Sequence, residues 1–240
     1  MTTAEEAESD RPPLGVGVPD DLLAGHPATA YFWGRVAGNG DIERDRLTVT
    51  TNDEAAAETV SEIVGSEINH EQNTRDYAHN TDITKTEDEY TVAVTGDDLF
   101  GMSGALGLPV DGRGNYRFGA FADYRRDLLR GILEGCGTIC FKSSSGTVGV
   151  SFVHDDAALL ELVQELLDDC PAEAPYGELS ETSSGGYWFG VDDDAAAEFG
   201  MWLYEETAAT GLFAPSRRRK LVQSLDQATD VDFDRSQFEA

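Results

Sequence analysis

Apolar residues recur along the chain at helical and at strand spacing, and the two spacings alternate in an order that occurs twice. The first unit opens with a mostly apolar segment, Pro27-Ala28-Thr29-Ala30-Tyr31-Phe32-Trp33-Gly34-Arg35-Val36-Ala37-Gly38-Asn39-Gly40. Proline suits a first helical turn and glycine a helix end, so this segment predicts a helix that stops at Gly38 to Gly40. Two short strands are expected over 41–43 and 47–51, with Arg44-Asp45 at the turn. A helix follows over 53–64, capped by Asn52 or Asp53, with Ala55, Val60, Ile63 and Val64 on its apolar side. Residues 66–88 are polar and fit neither period. β-branched content predicts a strand over 90–94, and 97–106 suits a short helix.

The second unit repeats that order. A helix is expected over 121–134, where Phe121, Tyr124, Leu128, Leu129, Ile132 and Leu133 form a broad apolar face, and Gly135-Cys136-Gly137 ends it. Strands are expected over 138–142 and 147–153, joined by Ser144-Ser145-Gly146. Leu159, Leu160, Leu162, Val163, Leu166 and Leu167 mark a helix over 155–168. Strands at 176–180 and 187–191 precede a helix opened by Asp192-Asp193-Asp194, where acids complement the helix dipole. A last helix, from 216 to about 228, carries Arg217, Arg218, Arg219 and Lys220. The expected division is a disordered acidic segment over 1–19, a first repeat over 20–112, a second repeat with a basic C-terminal helix over 113–230, and a tail over 231–240.

Each unit-opening helix has glycines four residues apart, Gly34 with Gly38 and Gly131 with Gly135, which places each pair on one helical face. Glycine inside a helix costs about 1 kcal/mol relative to alanine, so a compensating close approach is expected. The simplest arrangement packs the two helices against each other through these glycines. Helix stopping alone accounts for Gly38 and Gly135 but leaves Gly34 and Gly131 unexplained.

Charge alters the setting more than the fold. The chain has 46 acidic and 17 basic residues, a net charge of −29, and its only lysines are Lys85, Lys142 and Lys220. The acid is spread along the whole sequence, as expected of a protein adapted to a salt-rich cytoplasm. At about 1 M salt the screening length falls to about 3 Å, which removes most of the mutual repulsion. No apolar run approaches the ~18 residues of a membrane span, and MTTAEEAESDRPP lacks the apolar core of a secretory signal. Cys136, Cys140 and Cys170 form no zinc-ligand pattern and read as free thiols. His26, His70, His79 and His154 are scattered, and no catalytic triad or phosphate-cradling glycine loop is apparent.

The paired motifs resemble those of the LAGLIDADG homing endonuclease family. The nine-residue motif maps onto Phe32-Trp33-Gly34-Arg35-Val36-Ala37-Gly38-Asn39-Gly40 and onto Leu129-Arg130-Gly131-Ile132-Leu133-Glu134-Gly135-Cys136-Gly137. Asp41-Ile42 and Thr138-Ile139 look like the family's first strand, and Trp202-Leu203-Tyr204 followed by Arg219-Lys220 resembles its closing helix. The similarity covers nearly all of 27–228. It implies an α+β fold of two pseudo-symmetric αββαββα halves forming a saddle, with four-stranded antiparallel sheets as the DNA-facing surface. It also implies a divalent-metal site built from one acidic residue just before the final glycine of each motif.

This sequence departs from the family there, with Asn39 and Cys136 at the two acidic positions. A neutral amide and a soft thiol suit Mg²⁺ poorly, and Asp41 and Glu134 are displaced along the chain from the motif position. The expectation is a regulatory protein whose scaffold no longer cleaves, needs no cofactor, acts as a monomer and still binds double-stranded DNA.

 Candidate DNA contacts are Arg44 and Arg46 at the first hairpin, Arg75 in the ambiguous stretch, and Lys142 with Ser143, Ser144, Ser145 and Thr147 in the second unit. Arg217, Arg218, Arg219 and Lys220 add a basic turn. Each lone arginine has a plain alternative, pairing with one of the 46 acids, and Arg125, Arg126 and Arg130 fit internal ion pairs equally well. Two other functions stay open: a Mg²⁺-dependent endonuclease with a non-standard site, and an accessory protein without DNA, for which a link to cobalamin biosynthesis finds no supporting residue. Some bacterial transcription regulators reuse a degenerate LAGLIDADG domain beside a helix-turn-helix, and no such module is evident in this sequence.

Overall fold

The computed structural model describes residues 13–76, 84–96, 104–109, 114–229 and 231–238. Helix α1 (Pro27–Asn39) starts where the sequence offers a stop and a start together: His26 Nδ1 accepts from Ala28 N at 3.2 Å, and Pro27 occupies the first turn. Strands β1 (Gly40–Ile42) and β2 (Arg46–Thr51) form the first hairpin, and α2 (Glu54–Val64) follows, capped by Asp53. Strands β3 (Ile68–Asp76) and β4 (Thr84–Thr95) complete a four-stranded antiparallel sheet of order β1-β2-β4-β3.

A 3₁₀ turn at Gly119–Tyr124 leads into α3 (Arg125–Cys136), then β5 (Gly137–Lys142), β6 (Thr147–His154) and α4 (Ala157–Asp168). Strands β7 (Ser180–Glu181) and β8 (Tyr187–Gly190) give a second sheet of order β5-β6-β8-β7, the same permutation as the first. The chain closes through α5 (Asp193–Tyr204), the short α6 (Thr207–Thr210), α7 (Pro215–Gln227) and a 3₁₀ turn at Arg235–Phe238. Among the described residues no helix is long and apolar enough to cross a membrane.

Helices α1 and α3 lie side by side at the centre, pointing the same way. Gly34 faces Gly131, and Gly38 faces Gly135. A Cβ at Gly38 would stand 2.8 Å from Ile132 O, and one at Gly135 would stand 2.8 Å from Gly38 Cα. Side chains at Gly34 and Gly131 would press closer still on the Leu128 and Tyr31 carbonyl oxygens. The helices therefore touch backbone to backbone, which offsets the propensity lost by glycine. Around them Phe32, Trp33, Phe121, Phe152, Phe189, Phe199 and Phe213 are buried in one continuous core.

Four segments differ from the pattern of the sequence. The helix over 121–134 begins as the 3₁₀ turn, because Tyr124 precedes α3 without any side-chain cap. The polar stretch 66–88 holds most of a long hairpin, whose arms carry cross-strand polar pairs in place of an apolar face. His70 and Gln72 both reach Asp88, at 2.9 and 3.3 Å, and the His70 ring stacks on Tyr90. The strand over 176–180 shrinks to β7 and a single bridge from Tyr176 to Val191, after Pro175, which has no N–H to donate. Of the helix over 97–106, residues 97–103 lie outside the described residues, as does His79. Of the segment 1–19, residues 13–19 are described, and Gly15 N donates to Thr210 O at 3.0 Å.

Candidate nucleic-acid interface

The two motif helices end side by side, so residues just before their final glycines are brought together. At the end of α1, Asn39 Nδ2 donates to Thr50 O at 2.8 Å. At the end of α3, burial pushes the Cys136 thiol up to about 12, so sulfur stays protonated at neutral pH. Glu134 is buried and already engaged. Its carboxylate accepts from Tyr31 Oη at 2.6 Å and from Ala214 N at 2.9 Å, and burial raises its pKa against the nearby charges of Arg35 and Arg130. Asp41 is exposed on β1. An amide committed to a carbonyl and a protonated thiol do not fit the hard, anionic oxygen cage that Mg²⁺ requires. Among the described residues no three His, Cys, Asp or Glu side chains cluster as metal ligands.

Strand register separates the helix-packed faces from the open ones, since directly opposed residues share a face. Leu47, Val49 and Val92 point to the helices, so Asp41, Arg46, Thr48, Thr50, Asn69, Glu71, Asn73, Glu87, Glu89 and Thr91 lie on the open face of the first sheet. Among these described side chains four are carboxylates and one is a guanidinium, and the register puts Arg75 and Lys85 on the same face. On the second sheet, Val148, Val150 and Phe152 point inward, leaving Thr138, Cys140, Lys142, Thr147, Ser151, Val153 and Trp188 outward. That face is nearly uncharged and carries the exposed Val153 and Trp188, at 45% and 44% exposure.

The candidate contacts are dispersed over this surface. Arg44 and Arg46 are exposed on the first hairpin, and Ser143 and Ser144 are exposed on the second. Lys142 is paired with Asp193, which also accepts from Thr147 Oγ1 at 3.1 Å and Ser145 Oγ at 3.3 Å. The Arg75 backbone pairs with Lys85 in β3 and β4, and its side chain lies outside the described residues. Arg217, Arg218, Arg219 and Lys220 do not form one patch, because successive helical residues turn by about 100°. Arg217 lines a cleft, Arg218 lies 4.0 Å over the Phe213 ring, and Arg219 and Lys220 are exposed. Burial lowers the Arg218 pKa from its ordinary value.

The arginines of α3 serve internal pairs. Arg126 reaches Glu205 at 2.8 Å, and Arg125 reaches Asp169 at 3.2 Å. Buried Arg130 donates to Leu212 O and Leu203 O and pairs with Asp127. Two residues of this region escaped the sequence reading. Trp188 is legible from strand alternation, since its neighbour Phe189 is core. Arg35 lies one turn before Asn39 on the same face of α1, and is 2% exposed.

A LAGLIDADG family model described as "Putative archaeal homing endonuclease" matches residues 7–231. No curated protein matches the sequence. Among solved structures, full-length DUF199/WhiA from Thermatoga maritima is similar at a TM-score of 0.52 and 13% identity, over 92% of this chain and 66% of that one. This chain thus spans slightly less than two thirds of that protein. The homing endonuclease I-WcaI, solved bound to its DNA recognition sequence, is similar at a TM-score of 0.52 and 10% identity, over 87% of this chain and 95% of that one.

Proposed function

The chain belongs to this LAGLIDADG family, and from that premise we propose that it binds double-stranded DNA without cleaving it, in a regulatory role. The observation that carries the reading is the end of the motif helices, where Asn39 is bonded to Thr50 O and the Cys136 thiol is held protonated. Neither group supplies anionic oxygen to a metal, and Glu134 is engaged by Tyr31 and Ala214. The glycine-paired helices and two like-ordered sheets preserve the scaffold while the cleavage chemistry is gone. One chain supplies both halves, so a monomer suffices for the saddle.

The open faces suggest how the duplex is read. The first sheet bears Asp41, Glu71, Glu87 and Glu89, which repel phosphate, so among its described side chains the phosphate contacts fall to Arg44 and Arg46 at the hairpin end. The second sheet offers hydroxyls and the apolar pair Trp188 and Val153, groups suited to base edges and thymine methyls. Selection of genomic fragments by the purified chain in roughly 2 M KCl with Mg²⁺ tests this. Enrichment of one sequence with uncut ends is expected. Cut ends would overturn the loss of cleavage.

The carboxylates on the first sheet also favour a second reading, an accessory protein that has left DNA behind. Absence of any enriched fragment, with the protein folded by circular dichroism, would select it.

A further inference from the structure

At one end of the open face of the second sheet, Lys142 is the last residue of β5 and Asp193 is the first of α5. The Lys142 side chain lies flat along the sheet: a Cβ at Gly149 would stand 2.6 Å from its Cε and 3.2 Å from its Cγ. Laid down in this way, the ammonium pairs with Asp193 Oδ1. The other oxygen of the same carboxylate accepts from Thr147 Oγ1 at 3.1 Å and from Ser145 Oγ at 3.3 Å. One carboxylate therefore gathers an ammonium and two hydroxyls, and the Lys142 hydrogen bond holds the Asp193 pKa below its ordinary value. Lysine and hydroxyl side chains are also donors that proteins offer to a DNA phosphate. The fold gains little from the arrangement, because side chains exposed by 41% and 36% form the kind of ion pair that adds least to stability.

We propose that Lys142, Ser145 and Thr147 form a site for one backbone phosphate of duplex DNA, which the Asp193 carboxylate occupies in the free protein and leaves on binding. This rests on the DNA-binding reading above and adds to it one phosphate site and the group that controls it. A carboxylate and a phosphodiester each carry one negative charge and present two acceptor oxygens, so the three donors can pass from one to the other. The exchange has a salt signature. A phosphate neutralised by Lys142 releases its condensed counterion, while the freed Asp193 carboxylate attracts a cation in return. Lys142 thus adds close to nothing to the salt slope of the wild type, and about −0.9 once Asp193 is gone.

The test is fluorescence anisotropy of a labelled mixed-sequence duplex of about 30 base pairs, titrated with the full chain across roughly 0.3–2 M KCl. Asp193→Ala should bind about fivefold tighter at the low end of that range. Its slope of log affinity against log salt should steepen by about 0.9, from about −2 to about −3. Asp193→Asn, which keeps the shape of the side chain, should steepen it likewise. Asp194→Ala removes the same charge one residue along, from an exposed side chain that takes no part in these bonds, and should leave the slope at the wild-type value. Adding Lys142→Ala to Asp193→Ala should bring the slope back to that value. Each single variant should melt within about 4 °C of the wild type. The site is overturned if neither Asp193 variant changes affinity or slope, if Asp194→Ala steepens the slope equally, or if Lys142→Ala does not reverse the gain. In those three cases the wild type still binds the duplex, and the DNA-binding reading stands. Failure of the wild type and of both Asp193 variants to bind would overturn the site and the reading together.

Discussion

At the scale of single residues, the central helix pair leaves no room for a methyl group. Alanine at Gly34 or Gly131 would drive a Cβ into the partner helix's carbonyl oxygens, and rigid backbone cannot step aside as a flexible side chain can. We expect Gly131→Ala to lower stability by about 3 kcal/mol or more, read from denaturant melts, against a few tenths for alanine at Gly17, where no atom crowds the position. Glu134 gives a prediction in pH. Burial raises its folded pKa above the unfolded value, so the contribution it makes is present in acid and is lost as pH rises through that folded pKa. Gln at 134 cannot titrate. The stability difference between wild type and Glu134→Gln should therefore move against the wild type as pH is raised from about 4. A pH-independent difference would mean that Arg35 and Arg130 hold Glu134 charged throughout. Asn39→Asp with Cys136→Asp should restore two carboxylates at the helix ends, and Mg²⁺-dependent nicking of the selected DNA is the expected gain.

At the scale of elements, Asp53 joins the two halves. It caps α2 through Ala56 N at 3.3 Å and holds the start of α7 through Ser216 N at 3.0 Å. Helix α7 is preceded by Ala214, which has no side-chain acceptor to cap it, so Asp53 and Glu134 supply its start from other elements. Asp53→Ala should lower stability by about 2 kcal/mol, more than a single lost cap, and Asp53→Asn should retain part of it by keeping one acceptor. The local half of this role was readable: Asp53 stands before an apolar-faced helix. Its second bond was not, because a partner 163 positions away leaves no mark on local pattern. The same divide runs through the rest of the molecule. Helices with an apolar stripe, such as α2 and α4, follow from spacing. The β3–β4 hairpin was hidden because His70, Gln72 and Asp88 pair across strands with polar groups and no alternation results. The glycine spacing of α1 and α3 pointed to their mutual approach, but the cleft around Arg35 needs residues from six separate elements, which no motif gathers.

At the scale of the whole molecule, net charge sets folding and binding against each other. With −29 charges on one chain, repulsion acts over about 10 Å at 0.1 M salt and over about 3 Å at 1 M. The folded state concentrates that charge, so Tm should climb steadily as KCl rises through this range, with scanning calorimetry as the measure. A flat Tm would show that ion pairs such as Arg126 with Glu205 already balance the surface. DNA affinity should run the other way, since each neutralised phosphate contributes a slope of about −0.9 in log affinity against log salt. Among the described side chains Lys142 is already paired with Asp193, and the cations of α7 point in different directions, leaving Arg44 and Arg46 as the phosphate contacts proposed for this surface. The slope should therefore be about −2, shallow enough for binding to survive molar salt if the second sheet reads base edges through Trp188 and its hydroxyls. Arg44→Ala with Arg46→Ala should flatten it toward zero without moving Tm. A steep slope that this double variant leaves untouched would place the phosphate contacts elsewhere, on residues other than the first hairpin.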